Sequence, residues 1–291
     1  MSRRFALLVN PASGGGRSLR ALPAVIAELD RLRAPHRTVT TRSIEHAAEE
    51  AARASEAGET VAAVGGDGLM RPVAAALKGT GRAVALIPCG RGNDLARVLG
   101  IPRDPAEAAR MAVEGRERPL DVATVDGTPY LGIASCGVDS DANRIANEAK
   151  LIKGDAVYLY AALRALSAWK PAGFEVTVDG EHHSITGYSV AVGNSRAYGG
   201  GMLLLPHAEL DDGRLDVLLA TESSKLTFLR ELPKVFKGTH LESPHARVLK
   251  GEVIEVSSDR PFVIYADGDP IGATPATMRV EHRSLLVIGP S

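Results

Sequence analysis

Residues 60–94 read TVAAVGGDGLMRPVAAALKGTGRAVALIPCGRGND and repeat one arrangement twice. Each half starts with a short apolar run and stops at a glycine-rich turn that carries an aspartate, Asp67 in the first half and Asp94 in the second. Apolar runs of this length bounded by glycine predict buried parallel strands, and the helical patterns that follow predict a strand–helix junction at each turn. The predicted strands are residues 60–64 and 83–87, and the predicted helices are residues 70–77 and 95–99.

Both turns have the properties of a phosphate-binding junction. Glycine allows the backbone to approach a ligand closely, and the free N–H groups and the dipole at a helix N-terminus attract phosphate. A single GGDG motif is also what an ordinary tight turn needs, so one turn alone leaves both interpretations open. Two such turns, each with an aspartate, favour a site for a polyphosphate.

A third glycine-rich junction stands near the start of the chain. Residues 5–9 predict a buried strand, and residues 10–17, NPASGGGR, form a loop before an amphipathic helix over residues 18–31. The loop lacks the Gly-Lys-Ser/Thr ending of the P-loop, so the mechanism of that motif is not implied.

The order of predicted elements changes near residue 121. Before it, strands and helices alternate, which predicts a parallel sheet covered by helices, a three-layer α/β nucleotide-binding domain over residues 1–121. After it, a helical stretch over residues 142–169, interrupted near Gly154, is followed by many short strands with turns between them. This second pattern predicts an antiparallel β-sandwich domain over residues 122–282. The strands predicted after residue 121 include residues 174–178, 185–192, 215–220, 253–257, 262–266, 278–281 and 285–288.

Composition limits the function classes. The 291-residue chain has 45% apolar residues, 24% charged residues and a formal net charge of −1, which is ordinary for a globular protein and argues against a nucleic-acid binder that depends on a positive field. The two cysteines, Cys89 and Cys136, predict neither a disulfide framework nor a metal site. No apolar run approaches the length of a membrane span, so we expect a cytoplasmic protein that is at most peripheral to the inner face of a membrane.

Motifs along the whole chain occur in a specific order. They are NPASG at residues 10–14, GGDG at residues 65–68, PCGRGND at residues 88–94, GGGM at residues 199–202, LDDG at residues 210–213 and the Asp267-Gly268 pair. Together they resemble the bacterial diacylglycerol kinase family of soluble lipid kinases, which is related to the sphingosine and ceramide kinases and more distantly to NAD kinases. Each motif alone is weak, and their joint order is what makes the resemblance specific.

The resemblance implies an active site in the cleft between the two domains, with the last strand, residues 283–291, returning to the first domain. It also implies ATP as the phosphoryl donor. The residues that would line the ATP site are Asn10, Pro11, Ala12, Ser13, Gly14, Thr41, Gly65, Gly66, Asp67, Gly68, Leu69, Met70, Arg71, Gly90, Arg91, Gly92 and Asn93.

Carboxylates carry the chemistry that the resemblance implies. Asp67 and Asp94 would organise a catalytic Mg²⁺, and Asp267 would be the general base. Asp212 would bind a separate structural Mg²⁺ together with two backbone carbonyl groups. Those carbonyl groups are the ones of Glu209 and Arg214.

Three positions depart from the family pattern. Leu69 stands where the family usually has threonine, Arg71-Pro72 replaces an Asn-Glu pair, and Arg91 replaces a threonine between two glycines. The losses remove two hydroxyl groups, each worth about 1 kcal/mol net as a hydrogen-bond partner. The two arginines can instead make charge-assisted bonds to phosphate, so we interpret the changes as altered phosphate binding, with an inactive site as the alternative.

We therefore expect an enzyme that transfers the γ-phosphoryl group of ATP to the hydroxyl group of diacylglycerol or a similar lipid. The alternatives are a kinase of a sphingoid base, ceramide, another lipid or NAD, and an inactive nucleotide- or lipid-binding regulator. The expected partner is a lipid substrate at a membrane surface, and residues 225–237, with apolar residues and four cations, predict either a membrane-surface helix or a core-packed helix with a basic face. Exposed edge strands of the sandwich would also permit a homodimer.

Overall fold

The computed structural model describes residues 3–148 and 156–290, which form one 15-stranded sheet with helices on it. The strands are β1 Phe5–Val9, β2 His36–Thr40, β3 Thr60–Gly65, β4 Ala83–Pro88, β5 Arg116–Val125, β6 Thr128–Tyr130, β7 Ile133–Gly137, β8 Ala172–Val178, β9 Glu181–Gly193, β10 Leu215–Thr221, β11 Ala246–Gly251, β12 Val253–Ser258, β13 Val263–Ala266, β14 Asp269–Ala273 and β15 Ala276–Gly289. The α-helices are α1 Arg17–Arg31, α2 Ile44–Glu56, α3 Asp67–Leu77, α4 Asp94–Val98, α5 Pro105–Glu114, α6 Val138–Glu148, α7 Ala156–Ala168 and α8 Lys225–Glu231. Short 3₁₀ helices span Ser13–Gly15, Leu232–Lys237 and Thr239–Glu242.

The first half is the predicted α/β unit. Its four strands pair in parallel in the order β2-β1-β3-β4. Every residue of β1 and β4 is buried, and because successive side chains of a strand point to opposite faces, both faces of the sheet must be covered. Helix α1 packs with α5 and α2 packs with α3 to provide that cover. The prediction of a three-layer α/β arrangement is confirmed.

The second half is antiparallel, as predicted. Strand β9 pairs with β7, β8 and β10, and β12 pairs with β8 and β15, around a core that includes Phe174, Val190 and Ile254. Two of its strands, β11 and β14, were not predicted. Strand β11 has an exposed, irregular burial pattern, and β14 contains Pro270 and Gly272, which disfavour strand structure.

One long strand joins the two halves. Strand β15 pairs antiparallel with β5 along nearly its whole length and parallel with β4 through Leu286 and Val287. The sequence predicts two separate strands here, at residues 278–281 and 285–288. They are one strand with a register shift between Glu281 and Leu285, at the positive φ of Arg283. A local irregularity of this kind bends a strand without ending it.

Two other predicted segments differ in detail. Residues 225–237 are predicted as one helix, but α8 ends at Glu231 and a 3₁₀ helix continues, because Pro233 has no N–H to offer to an α-helical hydrogen bond. Helices α6 and α7 flank the predicted interruption near residue 154, which lies outside the described residues. No helix in the described ranges is long and apolar enough to cross a bilayer.

Candidate active site

Three glycine-rich turns meet at one edge of the parallel sheet, where β1, β3 and β4 end. Strands β2 and β3 lie on opposite sides of β1, so the order of the strands reverses between β1 and β3. Parallel α/β sheets bind ligands at such a switch point, outside the carboxyl ends of the strands. All three turns lie at this place, and in chain order the first turn is residues 10–16, the second is residues 65–68 and the third is residues 88–94.

The turns contact one another through bare backbone. A Cβ atom added to Gly66 would lie 2.8 Å from the Cα atom of Gly90, and one added to Gly90 would lie 2.5 Å from the Cα atom of Gly66. A Cβ atom on Gly14 would collide with the carbonyl oxygen of Cys89. The N–H group of Cys89 donates to the carbonyl oxygen of Gly65 at 2.6 Å, which ties the second turn to the third. Glycine is therefore required sterically at Gly14, Gly66 and Gly90.

Polar side chains fix the shape of two turns. Asn93, at φ +52°, accepts from the N–H group of Gly90 at 2.7 Å and donates to its carbonyl oxygen at 3.0 Å. Asn10 accepts from the N–H group of Ala12 at 3.1 Å. Thr41 is buried, and its hydroxyl group donates to the carbonyl oxygen of Val9 at 3.2 Å. These groups hold the backbone of the turns in place.

Asp67 and Asp94 face each other across Gly92. A Cβ atom added to Gly92 would lie 3.0 Å from Oδ2 of Asp94 and 3.2 Å from Oδ2 of Asp67. Burial and the negative charge of Asp94 raise the pKa of Asp67, against backbone hydrogen bonds from the start of α4 that include Leu95. Oδ1 of Asp94 is buried with no hydrogen-bond partner among the described residues. The nearest cation in the described part of the chain is Arg97, whose Nε lies 3.9 Å from this oxygen, beyond hydrogen-bond distance. Two converging carboxylates with an oxygen that accepts no hydrogen bond fit a divalent cation such as Mg²⁺, whose remaining ligands phosphate oxygens can supply.

Asp267 reaches this site from the second half of the chain. It follows β13 at φ +52°, and its two carboxylate oxygens accept from the N–H groups of Leu131 and Gly132, each at 2.9 Å. Burial, helped by the negative charge of Asp67, raises the pKa of Asp267 to about 6, while the two backbone hydrogen bonds and the charge of Arg71 oppose the shift. An aspartate with this pKa is ionised at neutral pH and is a stronger base than an ordinary one.

Two further contacts join the halves around the carboxylates. Arg71, on α3, forms an ion pair with Asp269 at 3.2 Å. The N–H group of Gly200, from the predicted GGGM motif, donates to Oδ2 of Asp94 at 2.9 Å. The cleft is therefore lined by groups from α3, α4, β14 and the loop that precedes β10.

The departures from the family pattern fall in different surroundings. Leu69 and Met70 are buried, and a Cβ atom on Gly65 would lie 2.8 Å from Cδ2 of Leu69. Leu69 thus fills the space beside the glycine turn as a packing residue. Arg91 is exposed on the third turn.

The predicted structural Mg²⁺ loop has a different neighbour from the one expected. Oδ2 of Asp212 lies 2.6 Å from the ammonium group of Lys250, and Oδ1 of Asp212 accepts from the N–H group of Arg214 at 3.0 Å. Glu209 and Arg214 are exposed. Both oxygens of Asp212 are already engaged, so this loop does not fit Mg²⁺ in the way that the pair Asp67 and Asp94 does.

The sequence interpretation assigned no role to several residues beside the cleft. Leu131 and Gly132 hold Asp267 through their backbone, which leaves no residue-type signal. Asp139, at the start of α6, has its pKa raised to about 6 by burial, which a hydrogen bond from Ser189 opposes. Burial first, and then the negative charges of Asp139 and Asp94, raise the pKa of Tyr198. A GVD motif at residues 137–139 was visible in the sequence but carried no assignment.

Comparisons with known proteins agree with this arrangement. Residues 4–125 match the family model described as "Diacylglycerol kinase catalytic domain", and residues 132–289 match the one described as "YegS C-terminal NAD kinase beta sandwich-like domain". The chain is 33% identical to a protein of Mycobacterium tuberculosis named diacylglycerol kinase, over 99% of this chain and 95% of the relative. It is 27% identical to a Bacillus subtilis protein of the same name, over 99% of this chain and 97% of the relative.

A solved structure has the same fold. A diacylglycerol kinase structure from Bacillus anthracis str. Sterne superimposes with a TM-score of 0.77 and 20% identity, over 99% of this chain and 97% of that one. The likeness confirms the predicted combination of an α/β half and a β-sandwich half.

The contact between Gly66 and Gly90 leads to a prediction. Replacing Gly66 by alanine puts a methyl group against the backbone of the third turn, so the turns must separate. We expect Gly66→Ala to lower the free energy of unfolding by about 1–3 kcal/mol, as overpacking does. Gly68→Ala is the matched control for stability, because a Cβ atom there meets nothing within 4 Å. Denaturant unfolding of both variants measures the difference, and equal stabilities would contradict the steric requirement.

Proposed function

Because the chain belongs to the diacylglycerol kinase-like family of lipid kinases, we propose that it transfers the γ-phosphoryl group of ATP to the hydroxyl group of diacylglycerol, giving phosphatidic acid. The family is one of ATP-dependent phosphotransferases. The observation that carries it is that Asp67 and Asp94 face each other beside the three glycine-rich turns, while Asp269, two residues after Asp267, forms an ion pair with Arg71 on α3 at 3.2 Å.

The turns would hold the triphosphate. Free N–H groups at the start of α3 and α4 attract phosphate, and the bare backbone at Gly66 and Gly90 allows close approach. Arg71 is held near the carboxylates by Asp269, and Arg91 is exposed at the third turn, so both can reach phosphate oxygens. Mg²⁺ held by Asp67 and Asp94 would neutralise charge that develops on the phosphates.

Asp267 would take the acceptor's proton. The lipid hydroxyl oxygen forms a bond to the γ-phosphorus while the bond from that phosphorus to the β,γ-bridging oxygen breaks, so ADP leaves and the hydroxyl proton passes to the carboxylate. The backbone N–H groups of Leu131 and Gly132 keep the carboxylate aimed into the cleft. Its raised pKa makes it a better proton acceptor than an exposed aspartate.

We also propose that residues 225–237 contact an anionic lipid surface, where the acceptor is found. Leu226 and Phe236 are 58% and 60% exposed, which is unusual for large apolar side chains, and Lys225, Arg230 and Lys237 beside them are exposed cations. The segment stays anchored, because Phe228 stacks on Tyr188 with ring centroids 4.3 Å apart. Apolar side chains among cations suit the boundary of an anionic bilayer.

An acceptor panel tests the substrate. Purified protein with γ-labelled ATP and Mg²⁺ is offered diacylglycerol, monoacylglycerol, ceramide or sphingosine in separate micelles, and NAD without micelles. We expect labelled phospholipid from diacylglycerol and none from Asp67→Asn, since that variant removes half of the metal-binding pair. Label on sphingosine, ceramide or NAD instead would keep the phosphotransferase and replace the acceptor, and no label with ATP still bound would favour the inactive regulator.

The role of Asp267 makes a prediction about rate and pH. We expect Asp267→Asn to lower kcat by about 10²–10⁴-fold, the usual contribution of a general base. In the unchanged protein, kcat should fall as the pH drops through about 6, because the protonated carboxyl group cannot accept a proton. Asp259→Asn, at an exposed aspartate of the sandwich half, is the control. A kcat within twofold of the parent, or a pH profile flat between 5 and 7, would remove the base assignment.

Lipid contact by residues 225–237 is tested by vesicle sedimentation. We expect Leu226→Asp and Phe236→Asp to reduce the fraction of protein bound to phosphatidylglycerol vesicles, because each places a like charge and a polar group at the bilayer boundary. Leu19→Asp, at a leucine of α1 that is 46% exposed, controls for loss of any exposed leucine. Equal binding of all three variants would exclude this surface, whatever the acceptor panel shows.

A further inference from the structure

A lysine stands between two carboxylates in the second half of the chain. Lys250 on β11 lies directly opposite Asp216 on β10 in the antiparallel register. Its ammonium nitrogen is 2.6 Å from Oδ2 of Asp212, in the loop before β10, and 3.5 Å from Oδ2 of Asp216. Lys250 and Asp216 thus form a cross-strand pair of opposite charge. The contact of Lys250 with Asp212 connects the loop to the two strands.

Burial makes this cation necessary. The side chain of Asp216 is only 7% exposed, and a buried carboxylate is strongly disfavoured unless a positive charge accompanies it. Burial raises the pKa of Asp216, and the charge of Lys250 opposes that shift. For Lys250, burial disfavours the charged form, but the hydrogen bond to Asp212 and the charges of both aspartates outweigh it and raise the pKa.

The loop offers little to a divalent ion while Lys250 is there. Mg²⁺ requires a near-octahedral set of oxygens at about 2.0–2.1 Å. Asp212 gives one oxygen to Lys250 and the other to the N–H group of Arg214.

We propose that the ammonium group of Lys250 takes the place that the family resemblance gives to a structural Mg²⁺, so that the Asp212 loop is held by a cation built into the chain. Divalent ions are then required only where Asp67 and Asp94 meet. This inference stands on the contacts of Lys250 and does not depend on which lipid the enzyme phosphorylates.

The position of the Asp212 loop matters because the loop contacts the strands that join the two halves. Gly213 donates to Oδ2 of the fully buried Asp121 at 2.7 Å, and the N–H group of Asp121 donates to the carbonyl oxygen of Leu210 at 2.7 Å. Oδ1 of Asp121 accepts from the N–H group of Arg283 at 2.7 Å. Asp121 lies on β5 and Arg283 on β15, so a loosened loop would disturb the β5–β15 pair.

Thermal unfolding without nucleotide tests the assignment. We expect the Tm of the unchanged protein to be the same in EDTA and in Mg²⁺. Any increase of Tm in Mg²⁺ should come from the site of Asp67 and Asp94 and should therefore be absent in Asp67→Asn. Lys250→Met, which keeps an unbranched side chain one atom shorter and removes the charge, should lower the Tm by several degrees in EDTA. It should also gain a Tm increase with Mg²⁺, because two adjacent carboxylates are left without their cation, and adding Asp212→Asn should remove that gain.

Matched controls separate this role from a simple loss of packing. Lys78→Met breaks an ion pair of similar exposure, in which the lysine faces only the carboxylate of Glu281. Because one carboxylate alone is left behind, the Tm of this variant should gain no response to Mg²⁺. Lys250→Arg keeps the charge and should behave as the parent. If Lys250→Met does not fold, the number of Mn²⁺ ions bound per protein is measured by electron paramagnetic resonance in the parent and in Asp212→Asn. We expect the same number in both proteins. A binding site lost in Asp212→Asn, or a Lys250→Met protein as stable as the parent in EDTA, would overturn the proposal.

Discussion

The backbone contact between Gly66 and Gly90 is the constraint on which the site depends. No side chain can stand at either position without pushing the second and third turns apart. The contact brings the ends of β3 and β4 together. Because Gly14 has no side chain, the turn after β1 also approaches the turn after β4 closely. Because helices α1, α3 and α4 start at these turns, their N-termini are gathered at the switch point of the sheet, where phosphate is attracted. A steric requirement thus creates an electrostatic property.

Carboxylates from both halves lie near these helix N-termini, and backbone N–H groups and one arginine offset their mutual repulsion. Asp67 is stabilised by backbone N–H groups at the start of α4, Asp267 by those of Leu131 and Gly132, and Asp94 by that of Gly200. Arg71 adds a positive charge, held in place by Asp269. Oδ1 of Asp94 remains without a hydrogen bond, 3.9 Å from Nε of Arg97, and a divalent cation held by Asp67 and Asp94 would offset the negative charge of these carboxylates. The raised pKa values of Asp67 and Asp267 express the same cost of burial before such a cation binds.

The β5–β15 pair connects the two walls of the cleft. It runs from the sandwich, where β15 pairs with β12, to the α/β sheet, where β15 pairs with β4, so the two walls of the cleft share one hydrogen-bonded ladder. Asp121 sits fully buried in that ladder and ties it to the Asp212 loop. Lys250 then balances the charge of the loop from the opposite side. Arg71 at the cleft and Lys250 at the loop thus each pair with carboxylates of the second half of the chain.

The amino-acid sequence by itself determined the order of α/β and antiparallel elements, the three glycine-rich turns and the family, because hydrophobic periodicity, turn chemistry and motif order are local or linear properties. It also indicated Asp67, Asp94 and Asp267 by their place in motifs. Only the tertiary structure decided that Leu131 and Gly132 hold Asp267 through their N–H groups, since a backbone donor has no residue-type signature. The same is true of β15 as one strand and of Lys250 opposite Asp216, because strand register between distant segments is set by packing and pairing across the whole sheet. Leu69 shows the reverse case: a departure visible in the sequence acquires its meaning, as packing against Gly65, only from its neighbours in space.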